Sequence, residues 1–150
     1  MQLVTDRVIM FEPRDERFIR AADVVAKFGV EPHQMVDFLA MVGDTSDNIY
    51  GVPSIGEKTA SALLAIYGSV EGIYDNLDRL NPRQQGVLLH NLVELTRSQR
   101  LVRLKVDLDG LPDVSTFTFD RNRDYRDLAA YCRVNEMEDL ARRVLTGWHQ

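Results

Sequence analysis

Met41-Val42-Gly43-Asp44-Thr45-Ser46-Asp47-Asn48-Ile49-Tyr50-Gly51-Val52-Pro53-Ser54-Ile55-Gly56-Glu57-Lys58-Thr59-Ala60 is the stretch on which the fold turns. Its second half runs apolar–Pro–small–apolar–Gly and then opens a helix with Lys58, Thr59 and Ala60. Each residue type has its own reason to be there. Gly51 and Gly56 tolerate backbone angles that a Cβ penalises, and they leave room for another chain to come close to the main chain. Val52 and Ile55 plug the bend into a core. A helix starting near Gly56 points free N–H groups and the positive end of its dipole outward. Lys58 adds a point charge in the first turn. Together these make a cradle for a backbone phosphate that reads no bases. The carbonyls of the same bend are suited to a monovalent cation bridging to a phosphate. The plainer reading is a loop that caps a helix. One Gly-x-x-x-x-Gly spacing is weak evidence, but the full run with Pro53 and the Lys-Thr-Ala continuation is more specific.

The first half carries two carboxylates, Asp44 and Asp47, three residues apart. In a tight turn or helix both can face one side. Carboxylates of this kind suit Mg²⁺ or Mn²⁺, which take one or two protein oxygens along with water and a substrate phosphate. On spacing alone, capping by Asp44 competes with this and is the commoner use of Asp. Two carboxylates also fall short of a two-metal nuclease set.

Outward from this stretch the chain reads as mostly helical. Upstream, residues 32–42 are amphipathic, with Met35, Phe38, Leu39 and Val42 at i, i+3, i+4, i+7 and Pro32 in the first turn. Residues 20–28 are expected to be helical, with Ala22, Val25 and Phe28 inward and Gly29 as the stop. Residues 2–11 suggest a hairpin in which Leu3-Val4-Thr5 and Val8-Ile9-Met10-Phe11 flank the turn-prone Asp6-Arg7, with Pro13 ending the segment. Downstream, a helix over 56–67 buries Ala60, Leu63, Leu64 and Tyr67 and stops at Gly68. Ser69 is placed to cap a short helix to Asn76. One long helix over 82–99, an extended or irregular stretch over 101–120 and two helices over 124–133 and 136–146 complete the chain.

Bulk properties bound the function. The 150 residues amount to about one domain, 1–150. A net charge of −5 argues against a broadly basic surface that coats DNA, although a backbone-amide site needs no such field. One cysteine, Cys132, excludes an internal disulfide framework and a cysteine-built zinc site, and a reducing, cytoplasmic setting is expected. No apolar run reaches membrane-spanning length, so no membrane partner is expected.

The run Met41–Ala60 resembles the central signature of bacterial and phage 5′→3′ exonucleases, including the 5′-nuclease part of DNA polymerase I and the flap endonucleases. The resemblance extends over Ala22–Val30, Met35–Ala40, Leu64–Leu77, Ser98–Asp109 and the last two helices. It implies a mainly α, helix–hairpin–helix-containing, SAM-like fold, the C-terminal subdomain of a 5′-nuclease, with a small β-hairpin at the N-terminus. It implies that Asp44 and Asp47 are metal-site aspartates. Gly51, Val52, Ser54, Ile55, Gly56, Lys58 and Thr59 become the DNA-backbone contacts, with K⁺ at the hairpin. It implies Mg²⁺ or Mn²⁺ as cofactor and duplex or branched DNA as partner. The upstream half of the family's pattern, with most of its catalytic carboxylates, has no counterpart here. A separate N-terminal nuclease chain or a polymerase is therefore a further expected partner, and this chain alone is expected to cut nothing. Two departures stand out: Tyr50 where the family usually carries Pro, and Ser54 where it usually carries Gly. A non-catalytic DNA-binding module and a helical protein-interaction domain are the alternatives.

The remaining candidates are weaker. His33, His90 and His149 show no ligand spacing. Cys132 sits in an apolar helical stretch and suits a core better than a nucleophile. Trp148 is suited either to docking on a core or to exposure. Arg79, Arg83, Arg97, Arg100, Arg103 and Lys105 line a DNA path or a solvated face equally well.

Overall fold

The computed structural model describes residues 1–116 and 125–146, so Trp148 and His149 lie outside the described residues. It divides into two compact units, Met1–Asp107 and Leu108–Gln150.

The first unit opens with a two-stranded antiparallel hairpin, β1 (Met10–Glu12) and β2 (Arg17–Ile19), in the register Met10↔Ile19, Phe11↔Phe18, Glu12↔Arg17. This differs from the expected pairing of residues 3–5 with 8–11. The turn at Asp6-Arg7 does form: the Thr5 hydroxyl accepts from the amides of Arg7 and Val8, and Thr5 N–H donates to the Val8 carbonyl at 2.9 Å. The strands form further on. There, Phe11 and Phe18 stack across the pair with centroids 5.1 Å apart, and such aromatic cross-strand contacts stabilise a register.

Helix α1 (Ala21–Phe28) is held at its start by the Asp23 carboxylate, which accepts the Arg20 amide at 2.7 Å, and ends at Gly29 in the left-handed conformation, φ 71°. Its buried residue is Val24, fully enclosed, while Ala22 and Val25 are exposed. The expected face is therefore rotated by one position. Adjacent valines leave the phase open, and packing decides it.

After a 3₁₀ turn at Pro32–Gln34 comes α2 (Met35–Val42), the most enclosed helix of the unit. Met35, Val36, Phe38, Ala40 and Met41 are all buried, because α3 (Glu57–Tyr67) and α6 (Leu92–Val102) both pack on it. The amphipathic stripe expected for this segment is correspondingly broadened. Helix α3 buries Ala60, Leu63 and Leu64, with Tyr67 half-buried, and ends at Gly68, φ 80°. The short α4 (Val70–Asp75) is capped by the Ser69 hydroxyl, which accepts the Gly72 amide at 3.1 Å. A 3₁₀ turn at Leu77–Arg79 leads to α5 (Pro82–His90), capped by the Asn81 side chain.

The single helix expected over 82–99 is two helices, α5 and α6. They part at Asn91, whose side-chain amide donates to the Val87 carbonyl at 2.8 Å. A short side chain that competes for main-chain carbonyls bends helices in this way. Asp37 ties the bundle together. One of its carboxylate oxygens accepts the Val70 amide at 3.0 Å and the other accepts Gln99 Nε2 at 2.7 Å.

In the second unit, α7 (Arg126–Val134) and α8 (Glu138–Thr146) pack as a helical pair around Ala129, Cys132, Ala141 and Val144. Cys132 is buried and unpaired, a core residue as read from the sequence. No described helix is long and apolar enough to cross a membrane.

Candidate nucleic-acid interface

The acidic segment folds as a tight turn. Asp44 N–H donates to the Ile49 carbonyl at 3.0 Å, and Ile49 N–H returns a bond to the Asp44 carbonyl at 2.8 Å. Asn48 takes up the reversal at φ 55°. Both candidate carboxylates thus sit on one small loop, Asp44 half-buried and Asp47 exposed. Asp44 Oδ1 accepts the Ser46 hydroxyl at 2.5 Å and the Ser46 amide at 2.9 Å. The hydroxyl, then that amide, hold the Asp44 carboxyl below its ordinary 3.8, against a smaller opposing push from burial. The local bond that competes with metal binding therefore exists, and it keeps the group ionised. Among the described residues no three His, Cys, Asp or Glu side chains stand together as a metal cage. The donor set fits a hydrated Mg²⁺ or Mn²⁺ that draws its remaining ligands from elsewhere, not an enclosed site.

The bend at 51–56 is anchored as expected, with Val52 4% and Ile55 5% exposed. Their amides are occupied, Val52 N–H by the Met41 carbonyl at 2.7 Å and Ile55 N–H by the Val52 carbonyl at 3.0 Å. Expected as DNA contacts, these two are instead anchors, with buried side chains and bonded amides. Thr59 is similar, since its amide donates to Gly56 and its side chain is half-buried.

Gly51 also has a different reason from the one expected. A Cβ there would lie 2.3 Å from the Val42 carbonyl oxygen and 2.7 Å from the Gly43 amide. Its bare Cα serves packing inside the protein, not access for a strand. Neither Gly51 nor Gly56 has positive φ. At this bend that conformation belongs to Ser54, φ 64°, the position where the resembled family usually carries glycine.

What faces outward is the tip and the start of α3. Pro53, Ser54, Gly56, Glu57 and Lys58 are exposed, and nothing lies within 4 Å of where a Gly56 Cβ would stand. The amides of Ser54, Gly56, Glu57 and Lys58 donate to no acceptor among the described residues. Lys58 has no ion-pair partner among them.

Three contributors escaped the sequence reading. Glu57 sets a negative charge in the same first turn as Lys58. Ser98, 3% exposed on α6, donates its hydroxyl to the Tyr50 carbonyl at 2.8 Å and so pins the entry to the bend. Asp37 was visible only as a lone acid within an apolar helix. Of the basic side chains, Arg83 reaches the bend, its Nη2 donating to Ser54 Oγ at 3.3 Å. Arg97 instead pairs with Glu94.

A helical domain that sets an anchored, amide-rich bend at the start of a helix, just after an acidic turn, defines a helix–hairpin–helix class of protein. Residues 30–124 match the family described as 5′-3′ exonuclease, C-terminal SAM fold, and the chain belongs to that family. The thermostable DNA polymerase I of Thermus filiformis is 44% identical over 108 residues, which are 71% of this chain and 13% of that protein. The 5′-3′ exonuclease of Aquifex aeolicus is 38% identical over 109 residues, 73% of this chain and 37% of that one. A bacteriophage T5 flap endonuclease, solved in complex with DNA and metal ions, shares the fold with a TM-score of 0.58. That match covers 97% of this chain and 48% of the other, at 24% identity. The chain spans less than half the length of each of these proteins.

Proposed function

We propose that this chain is the DNA-gripping, C-terminal part of a 5′→3′ exonuclease or flap endonuclease. One observation carries the reading: four main-chain amides, those of Ser54, Gly56, Glu57 and Lys58, have no acceptor among the described residues and lie on an exposed bend seated by the buried Val52 and Ile55. A helix N-terminus with open amides and a lysine takes a phosphate without regard to base sequence. The carbonyls of Pro53, Ser54 and Ile55 accept no main-chain hydrogen bond among the described residues and are free to turn toward a K⁺ beside that phosphate. Asp44 and Asp47 hold a divalent cation on the adjoining turn, with further ligands from a separate nuclease chain or domain and from the DNA. That ion, when bound, supplies Lewis-acid polarisation of a phosphoryl oxygen. The role of the bend is to keep the duplex in register with the acidic turn.

Fluorescence anisotropy with labelled duplexes of unrelated sequence tests the grip. Lys58→Ala is expected to weaken binding to all of them alike and to lower the slope of log Kd against log salt by about one. No binding at the lowest salt ends the reading. The metal proposal has its own readout: Mn²⁺ broadening of the Asp44 and Asp47 NMR signals in the isolated chain, lost in Asp44→Asn.

One observation favours a module that grips without cutting, namely the absence of a third acidic or imidazole ligand beside Asp44 and Asp47 among the described residues. A Mg²⁺ nuclease assay on this chain, with and without an N-terminal nuclease domain, separates the two. Cleavage only with the added domain supports the first reading.

A further inference from the structure

We propose that Arg83, steadied by Ser54, is a second phosphate contact, taking the DNA-backbone phosphate next to the one held by the amides of residues 54–58. The inference rests on the nucleic-acid reading above and adds a side chain that the signature run does not contain.

Ser54 occupies a left-handed backbone conformation, φ 64°, which side chains other than glycine and asparagine seldom accept. What a serine adds over glycine at this place is a hydroxyl, and that hydroxyl accepts Nη2 of Arg83, 29 residues away at the start of α5. The two side chains line one groove together with Thr59, Asn81 and Gln84, between the beginnings of α3 and α5. Asn81 accepts the Gln84 amide with its side-chain oxygen, and the bond of the arginine goes to Ser54 instead. Arg83 is exposed and has no carboxylate partner among the described residues, in a chain whose net charge is −5.

A guanidinium carries five N–H donors in a fixed plane, and one bond to a neutral hydroxyl leaves its charge and most of its fork available. The serine limits the freedom of a long side chain, so less is lost when the fork closes on a phosphodiester. A solvated arginine needs no such tether.

Anisotropy of the full chain with a labelled duplex, followed from low to moderate salt, tests this. Arg83→Ala is expected to weaken binding about five- to tenfold and to reduce the salt slope by about one, additively with Lys58→Ala. Arg83→Lys is expected to recover the slope but not the full affinity, because the fork is lost while the charge stays. Ser54→Gly is expected to leave the slope intact and cost a smaller factor. If the parent chain binds and Lys58→Ala lowers the slope while Arg83→Ala changes neither slope nor Kd, the second contact is refuted and the nucleic-acid reading stands. If the parent does not bind, both fall. Since Arg83 is exposed, a folded Arg83→Ala chain is expected by circular dichroism.

Discussion

Gly51→Ala separates two reasons for a glycine in this bend. If the residue is small so that DNA can approach, the substitution leaves the free protein alone and harms only binding. The geometry predicts the reverse order of effects. The new methyl would stand 2.3 Å from the Val42 carbonyl oxygen, 2.4 Å from its carbon and 2.7 Å from the Gly43 amide nitrogen. All three are main-chain atoms and cannot rotate aside. Relief requires the segment after Tyr50 to move outward by roughly 1 Å, and forcing atoms into a packed interior costs about 1–3 kcal/mol. The same shift strains the 2.7 Å bond from Val52 N–H to the Met41 carbonyl, worth about 1 kcal/mol, and lifts Val52 from the core. A loss of about 3 kcal/mol follows, a large share of an ordinary domain's 5–15 kcal/mol. Urea denaturation measures it directly, and a fall of about 10 °C in Tm is the thermal equivalent. Gly56→Ala is the control, because open space surrounds that position and its φ is −93°. It should cost under about 1 kcal/mol, the usual scale for a changed N-cap. A Gly51→Ala chain as stable as the parent, yet weak on DNA, would refute the packing argument and restore the access reading.

Three further expectations can be checked on the same protein. Ser54→Gly relieves a left-handed residue, worth about 1–2 kcal/mol, but removes an acceptor from Arg83, so it should stabilise more in an Arg83→Ala background than in the parent; equal values in a urea double-mutant cycle would show that the pair is uncoupled. The Asp44 carboxyl, lowered chiefly by the Ser46 hydroxyl, should titrate below 3.8 by NMR and move back toward it in Ser46→Ala. Because the folded value is the lower one, its stabilising contribution is complete above 3.8 and disappears as pH falls through the lowered value; an unchanged titration in Ser46→Ala would show that the hydroxyl is not the cause. Glu57→Gln removes a negative charge from the turn that carries Lys58 and should tighten duplex binding a few-fold at low salt, an effect that fades as salt screens it; unchanged affinity would place the phosphate away from that turn.

The parts of this chain that were legible in the sequence share a physical feature: their reasons are local. The anchors Val52 and Ile55 stand out because they are apolar within a polar loop. Helix α3 shows its period and its glycine stop, and Ser69 announces a cap within three residues of the amide it binds. Where a residue's role depends on a neighbour far along the chain, the reading failed or was silent. Gly51 is small because of Val42, on the helix before the turn, and Tyr50 is pinned by Ser98, 48 residues away. The stripe on α2 blurs because two helices cover it, and the strand register follows Phe18 instead of the nearer Val8 and Ile9. Helix 82–99 broke at Asn91 because one carboxamide bonds back to Val87, a choice that propensity leaves open. That carboxylates sit on a turn and amides on a bend was therefore readable, while the packing around them was not. That division makes a prediction of its own. Among the described residues Asp37 bonds to neither the bend nor the acidic turn, yet it joins α2, α4 and α6 through the Val70 amide and Gln99. Asp37→Ala leaves both donors unmatched and should cost about 2–6 kcal/mol at about 1–3 kcal/mol for each partly buried group. If the scaffold aims the site, a destabilised but still folded Asp37→Ala chain loses duplex affinity with its salt slope unchanged, because every phosphate contact remains and only their alignment is lost. A lowered slope would mean that Asp37 holds a phosphate-binding residue directly.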